Sequence, residues 1–475
     1  MAYISRRHFL SGAGALGFAS GMGALSGLSA AKAWAATDTS GYKAMVCIFL
    51  KGGMDHADTI LPYDQASYNQ LVQAREGLFG AYNYIDAGST RNRANLLRLN
   101  PANAGRLGGR EMALPPELAP LKTLFDSGDM AILGNVGPLL EPTDRAGFDN
   151  GTSQLPPRLF SHNDQQSTWM SFGVEGRRLG WGGRFADAAL AAAPSSDPAF
   201  AAISTGSNDV FLSGDNARPY RVTSSGAPEA NLISRRYYLG GTSGDDEARQ
   251  RMRDFLAGQN YNDRNIFAQD IRSSNGRAVE TSERLLTARE NEGPFATTFG
   301  NDSFSRQLQS VAETIKIQSY LNAPRQMFYV TSGGFDTHNA QANAMGGLHS
   351  ALAGAITSFK AAMDEINQWD NVVVFTMSDF GRTLIDNGDG TDHGWGAHHF
   401  IAGGRVAGNR IYGDVPSAEP NSNFYTPSRG RLIPTTSVEQ YAATLGRWFG
   451  LDGSALNMAL PNLGNFTGSD LGFMT

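Results

Sequence analysis

Six of the eight histidines fall in four short stretches, and each stretch also holds an aspartate. The stretches are KGGMDHAD (Lys51 to Asp58), FSHNDQQSTWM (Phe160 to Met170), GGFDTH (Gly333 to His338) and TDHGWGAHHF (Thr391 to Phe400). Neutral imidazoles and carboxylates together suit Zn²⁺, Mn²⁺ or a similar divalent ion. Clustered carboxylates repel one another, and a divalent cation resolves the repulsion. The plainer alternatives are that Asp55, after two glycines, caps a helix, and that Asp336 and His338 fix a loop. His398 and His399 are neighbours, so at most one of them faces a given centre.

The elements that must position these residues read as an α/β fold. Four apolar runs have the length and continuity of strands buried on both faces: Met45 to Leu50, Met130 to Leu133, Gln326 to Thr331 and Val372 to Met377. Three of them run into turns that carry Asp55, Asp336 and Asp379. Between the last two lies a helical pattern, with Leu348, Leu352, Ile356, Phe359, Met363 and Ile366 stepping by threes and fours. That is a strand–helix–strand unit, and it predicts a largely parallel sheet. Sites in such sheets form at the carboxyl ends of the strands, where these aspartates stand. Further helices are predicted near Leu118 to Ser127 and Val438 to Leu451.

The chain of 475 residues is long enough for a large core. Its net charge of −6 gives no electrostatic reason to expect a nucleic-acid partner. Residues 1–36 read as a twin-arginine export signal: Arg6-Arg7, Phe9-Leu10, a weakly apolar Gly/Ala run, and a small-residue end at Ala33-Trp34-Ala35. A periplasmic or extracellular protein is expected, exported by the twin-arginine machinery, with no membrane span after the signal. Residues 37–475 read as a single domain. The part near 195–300 is rich in Ser, Gly, Asn, Asp and Arg, and reads as a loop-rich insertion over the site edge, part loop and part helix, with the helix near Arg264 to Thr287. Cys47 is the only cysteine, so no internal disulfide forms.

GGMDHAD, FSHNDQQSTWMSFG, GGFDTHNAQ, VVVFTMSDFGRT and NGDGTDHGWGAHHFIAGG, in this order, resemble the bacterial DUF1501 family. YGDVP and the Trp-Phe-Gly-Leu tail extend the likeness over nearly all of the chain after the signal. That family is grouped with the alkaline phosphatase and sulfatase superfamily. The resemblance implies an alkaline-phosphatase-like three-layer α/β sandwich with one or two divalent ions, Zn or Mn. It implies Asp55, Asp336, His338, Asp379 and His393 as metal ligands, with His398 or His399 competing for the last place. It places a nucleophile at Ser161, with Ser167 and Thr168 as weaker matches and His162 as a base or ligand. Phe380 stands where many relatives have a histidine, which leaves one position short unless His56 or His398 fills it. Arg382 could bind a phosphate or sulfate oxygen in a bidentate way, or pair with an acid. The expected function is a metal-dependent hydrolase of a phosphate or sulfate ester, on a small molecule or an envelope component. The alternative is a non-catalytic exported protein of the same fold that binds an envelope component or a partner protein.

Overall fold

Lys43–Leu50 forms strand β1, and seven of its eight residues are buried. Ala44, Val46, Ile48 and Leu50 join one apolar core, while Met45, Cys47 and Phe49 join another. Side chains alternate along a strand, so a sheet covered on both faces demands an apolar residue at every position. The structure, a computed structural model, describes residues 37–475 except 208–209, 224–249, 252–253 and 256–264. The expected export signal and much of the predicted insertion lie outside the described residues.

The other strands follow in chain order: β2 (Leu61–Pro62), β3 (Leu97–Arg98), β4 (Met112–Leu114), β5 (Met130–Gly137), β6 (Ala202–Ser204) and β7 (Tyr220–Arg221). Then come β8 (Arg325–Ser332), β9 (Val372–Ser378), β10 (Ala397–Gly403), β11 (Ile411–Gly413) and β12 (Thr436–Ser437). Nine of them form the main sheet, in the order β11-β5-β10-β9-β1-β8-β6-β7, with β12 also paired to β5. Its pairings are parallel except the two made by β10, so β10 alone runs against the rest. Strands β2, β4 and β3 make a small separate antiparallel sheet.

Helices cover both faces. Leu121 and Phe125 of Ala119–Ser127, Leu308 and Val311 of Ser303–Lys316, and Leu352 and Phe359 of Gln341–Glu365 pack into the first core. Trp169 of His162–Ser171, Phe185 of Trp181–Ala192, and Tyr441 and Phe449 of Val438–Phe449 pack into the second. The result is a three-layer α/β sandwich with a mainly parallel sheet. The 195–300 region is less foreign to the fold than its composition suggests. It supplies two sheet strands, β6 and β7, beside the expected helix, which runs Ile266–Glu292.

Two differences from the sequence reading bear on the site. The second strand runs to Gly137, past the glycine and asparagine that read as its end. The sequence reading assigns the AHHF stretch no element, and it is strand β10, buried throughout. The physical reason is position: pairing β10 between β5 and β9 supplies partners that no local signal announces.

Candidate metal centre

Strands β8 and β9 both flank β1, and all three end level with one another: Leu50 stands opposite Ser332 and Ser378. The three turns that follow therefore meet at one edge of the sheet. Ser378 ties two of them, its Oγ donating to the Leu50 carbonyl at 2.6 Å and accepting from the Met54 N–H at 2.8 Å. Gly52 and Gly53 have φ of +115° and +107°, the left-handed region. A Cβ on Gly52 would collide with the backbone of Asp336, and one on Gly53 with the Phe380 ring and Arg382. Only glycine lets the first turn lie this close to the other two.

Here four side chains converge. Nε2 of His338 and of His393 lie 3.2 and 3.3 Å from Asp336 Oδ1, and Nε2 of His162 lies 3.4 Å from Asp336 Oδ2. The two nitrogens of His338 and His393 are 2.9 Å apart. One donor atom each from His162, Asp336 and His393 fits within 4.8 Å. Each ring is held from behind by an acceptor on Nδ1. Asp379 takes that of His162 at 2.6 Å, the Phe160 carbonyl that of His393 at 2.8 Å, and Asp392 that of His338 at 3.2 Å. A carbonyl or carboxylate makes Nδ1 the protonated nitrogen, so the Nε2 lone pairs point inward. Three lone pairs and a carboxylate facing one another are mutually repulsive until a cation joins them. That donor set, with acceptors behind each imidazole, fits a divalent metal.

The electrostatics agree. Burial pushes the Asp336 carboxyl up, but the Arg382 hydrogen bond and charge more than reverse it, so Asp336 is held below the usual carboxylate range. The hydrogen bond to Asp379 raises the His162 imidazole, and burial lowers that of His393. Asp379 is fully buried, and its second oxygen, Oδ1, has no partner among the described residues. Gln166 donates to the first at 2.8 Å.

A family model described as a protein of unknown function, DUF1501, matches residues 136–459. The chain belongs to the DUF1501 family. His162, Asp336, His338, Asp379 and His393 all lie within that span; Asp55 does not. Among solved structures, this DUF1501 protein is similar to Ps i-CgsB in complex with k-i-k-neocarrahexaose, at 10% identity and a TM-score of 0.35, over 90% of this chain and 77% of that one. It is similar to the PsFucS1 sulfatase from Pseudoalteromonas sp., at 10% identity and a TM-score of 0.33, over 87% and 73%. It is also similar to an alkaline phosphatase from the Antarctic bacterium TAB5, at 10% identity and a TM-score of 0.23, over 76% and 91%. No curated protein matches the chain.

Five candidate residues of the DUF1501 chain do not join the donor set. Asp55 is not brought to the cluster: Arg75 takes both its oxygens at 2.7 and 2.8 Å, and Asp55 caps the short helix His56–Thr59. His398 is not brought there either. As part of β10 it accepts from the Asn135 N–H at 2.9 Å and meets the His56 ring, while His399 turns the other way onto Trp169. Strand alternation sends these neighbours to opposite faces. Ser161 stands at the mouth of the His162–Ser171 helix, with its Oγ bonded to Asp164 at 3.2 Å. Arg382 is fully buried and donates to Asp336 at 2.6 Å, to Gly52 and to Thr391, so it orients Asp336 and presents no open face to a substrate. Phe380 is a wall of the site, its ring centroid 4.8 and 4.5 Å from those of His162 and His393.

The sequence reading missed Asp392, Gln166 and the Phe160 carbonyl. Asp392 sits directly before His393, and a search for acceptors beside each candidate ligand could have found it. The Phe160 carbonyl had no such signal. It is aimed by a backbone with φ of 72°, and the guanidinium of Arg431 lies 4.2 Å over its ring. Among the described residues, half of the ten non-glycine residues with positive φ are asparagines, which tolerate it. The other five are Arg158, Phe160, Phe172, Ala340 and Arg429, all on segments that carry or abut the cluster. Such a conformation costs about 1–2 kcal/mol per residue. Strain of this kind gathers where a fold holds a functional geometry.

Proposed function

We propose that this protein is an exported, metal-dependent hydrolase of phosphate or sulfate esters, with His162, Asp336, His338 and His393 holding the ion. The observation that carries this is the convergence of three Nε2 atoms on one carboxylate, each ring fixed by an acceptor on Nδ1. An ion held by these residues would supply Lewis acidity for a water nucleophile and offset charge on an anionic ester. Asp336 stays ionised because Arg382 braces it. Asp379 fixes the His162 ring and holds its Nδ1 proton. His338 and Asp336 are about two-fifths exposed, so an ester reaches the cluster from their side. Phe380, fully buried, packs against the rings of His162 and His393.

The twin-arginine signal and the absence of any helix long and apolar enough to span a membrane, among the described residues, support a periplasmic or extracellular place of action. A second reading, a metal-holding protein without turnover, is favoured by Ser161, whose Oγ is engaged by Asp164 instead of reaching the cluster. One experiment tests both. Elemental analysis of the purified protein and its His393→Ala variant is followed by assays on generic phosphate and sulfate esters. Stoichiometric Zn or Mn, lost in the variant together with turnover, supports the hydrolase. Metal without turnover selects the second reading, and no metal after reconstitution overturns both.

A further inference from the structure

Beside the cluster stand two arginines whose settings are alike. Arg158 is 70% exposed and reaches only the edge of Asp164, at 3.5 Å. Arg429 is 47% exposed and reaches Asp392 at 2.9 Å. Both sit in the left-handed region, at φ of 55° and 61°, and they are the only arginines that do so among the described residues. The strain at each exceeds what an exposed ion pair returns, so the pairs themselves do not account for the conformations. The Arg429 guanidinium is one carboxylate removed from His338, and Arg158 lies on the segment that leads to Phe160. Asp392, under Arg429, holds His338 Nδ1; Phe160, two residues after Arg158, holds His393 Nδ1. Arg431 locks the two segments together, its Nε donating to the His393 carbonyl at 2.9 Å while its guanidinium covers the Phe160 ring. Two solvent-facing cations thus stand on the segments that brace the rings of His393 and His338.

We propose that Arg158 and Arg429 form an anion-recognition subsite, and that the substrate carries a second anionic group beside the phosphate or sulfate ester that is cleaved. The chemical class is an ester borne on a polyanionic chain or an oligo-acid. A guanidinium suits this because its planar fork takes an acidic group in a bidentate way. The inference deepens the hydrolase reading and rests on it for the nature of the cleaved group, but binding of the second anion is a property of the arginines alone.

The test is calorimetric titration of the mature protein with inorganic phosphate and with tripolyphosphate, alongside Arg158→Gln, Arg429→Gln and the double variant. Metal content is measured in every sample. Tripolyphosphate is expected to bind the wild type at least about tenfold more tightly than phosphate, and the double variant to lose that preference to within about twofold. The wild-type preference is also expected to fall steeply between about 0.05 and 0.5 M NaCl, since exposed charges are screened. That arm needs no variant, so a misfolded double variant leaves the test intact. A double variant that keeps the full preference, or a preference indifferent to salt, overturns the subsite. If the protein takes up no metal, the hydrolase reading fails. The titration of that metal-free protein then decides the subsite separately: binding of tripolyphosphate that depends on the arginines upholds it, and none overturns it.

Discussion

Two loops of this protein begin almost alike. KGGMDH follows β1 and SGGFDTH follows β8, on neighbouring parallel strands, each with two glycines, an aspartate and a histidine. Their fates differ. Asp55 is buried, and Arg75, Gln341 and the Ala57 N–H take its oxygens. Its neighbour Asp58 is bound by Arg91 and Tyr82 in the same way. Asp336 is two-fifths exposed, held by one arginine, and faces three imidazole nitrogens. The first loop is a closed ion-pair network; the second is an open donor set. The lesson is that an aspartate at a strand end becomes a structural anchor when a cation from elsewhere in the chain reaches it first. Here that cation is Arg75, twenty residues downstream of Asp55.

The comparison breaks most sharply at Arg75. Arg75→Ala leaves Asp55 ionised and buried without a partner, and is expected to cost about 3–5 kcal/mol in denaturant unfolding. A loss below about 1 kcal/mol would remove the first loop's structural role. At the open loop, Asp336→Ala is expected to abolish stoichiometric metal and to cost the metal-free protein about 1–3 kcal/mol, since the buried Arg382 loses its carboxylate but keeps the Gly52 and Thr391 carbonyls. Retained metal by elemental analysis would overturn the centre.

Behind that loop, Asp379→Asn keeps the shape but weakens the acceptor on His162 Nδ1. Metal affinity is expected to fall about 10–100-fold, measured by competition with a chelator. An unchanged affinity would show that the ring needs no such support.

Acidity separates the regions by sign. Burial pushes the His56 imidazole down to about 4, and those of His349 and His399 down to about 3. An unfolded chain takes up these protons near pH 6.5, and the folded one refuses them. Stability is therefore full above about pH 6.5 and falls toward pH 4, by about 1.4 kcal/mol per pH unit for each histidine. The His162 imidazole is raised by Asp379, so its contribution runs the other way in metal-free protein. It is fully present below about pH 6.5 and lost as pH rises through the raised value. His162→Gln is expected to flatten only that alkaline side, and urea unfolding across the pH range checks it.

The smallest effect belongs to Ser161. Ser161→Ala is expected to lower stability by no more than about 1 kcal/mol and to leave metal content unchanged. Turnover that vanishes in this variant would restore Ser161 as the nucleophile and change the chemistry assigned to the site.

The sequence by itself determined the sheet and the edge at which the site stands. Continuous apolar runs within β1, β8 and β9 fit a sheet buried on both faces, and the aspartates that follow are then carried to its carboxyl edge. Asp336, His338, Asp379 and His393 were legible as candidates because their residue types and their places after strands both pointed there. Tertiary structure alone decided which of them meet. Arg75 captured Asp55, β10 carried His398 and His399 into the sheet, and Arg382 was drawn under Asp336. These are contacts between residues from 20 to more than 250 positions apart. Local pattern encodes burial and turns, whereas the partner that neutralises a buried charge is chosen by packing across the whole chain.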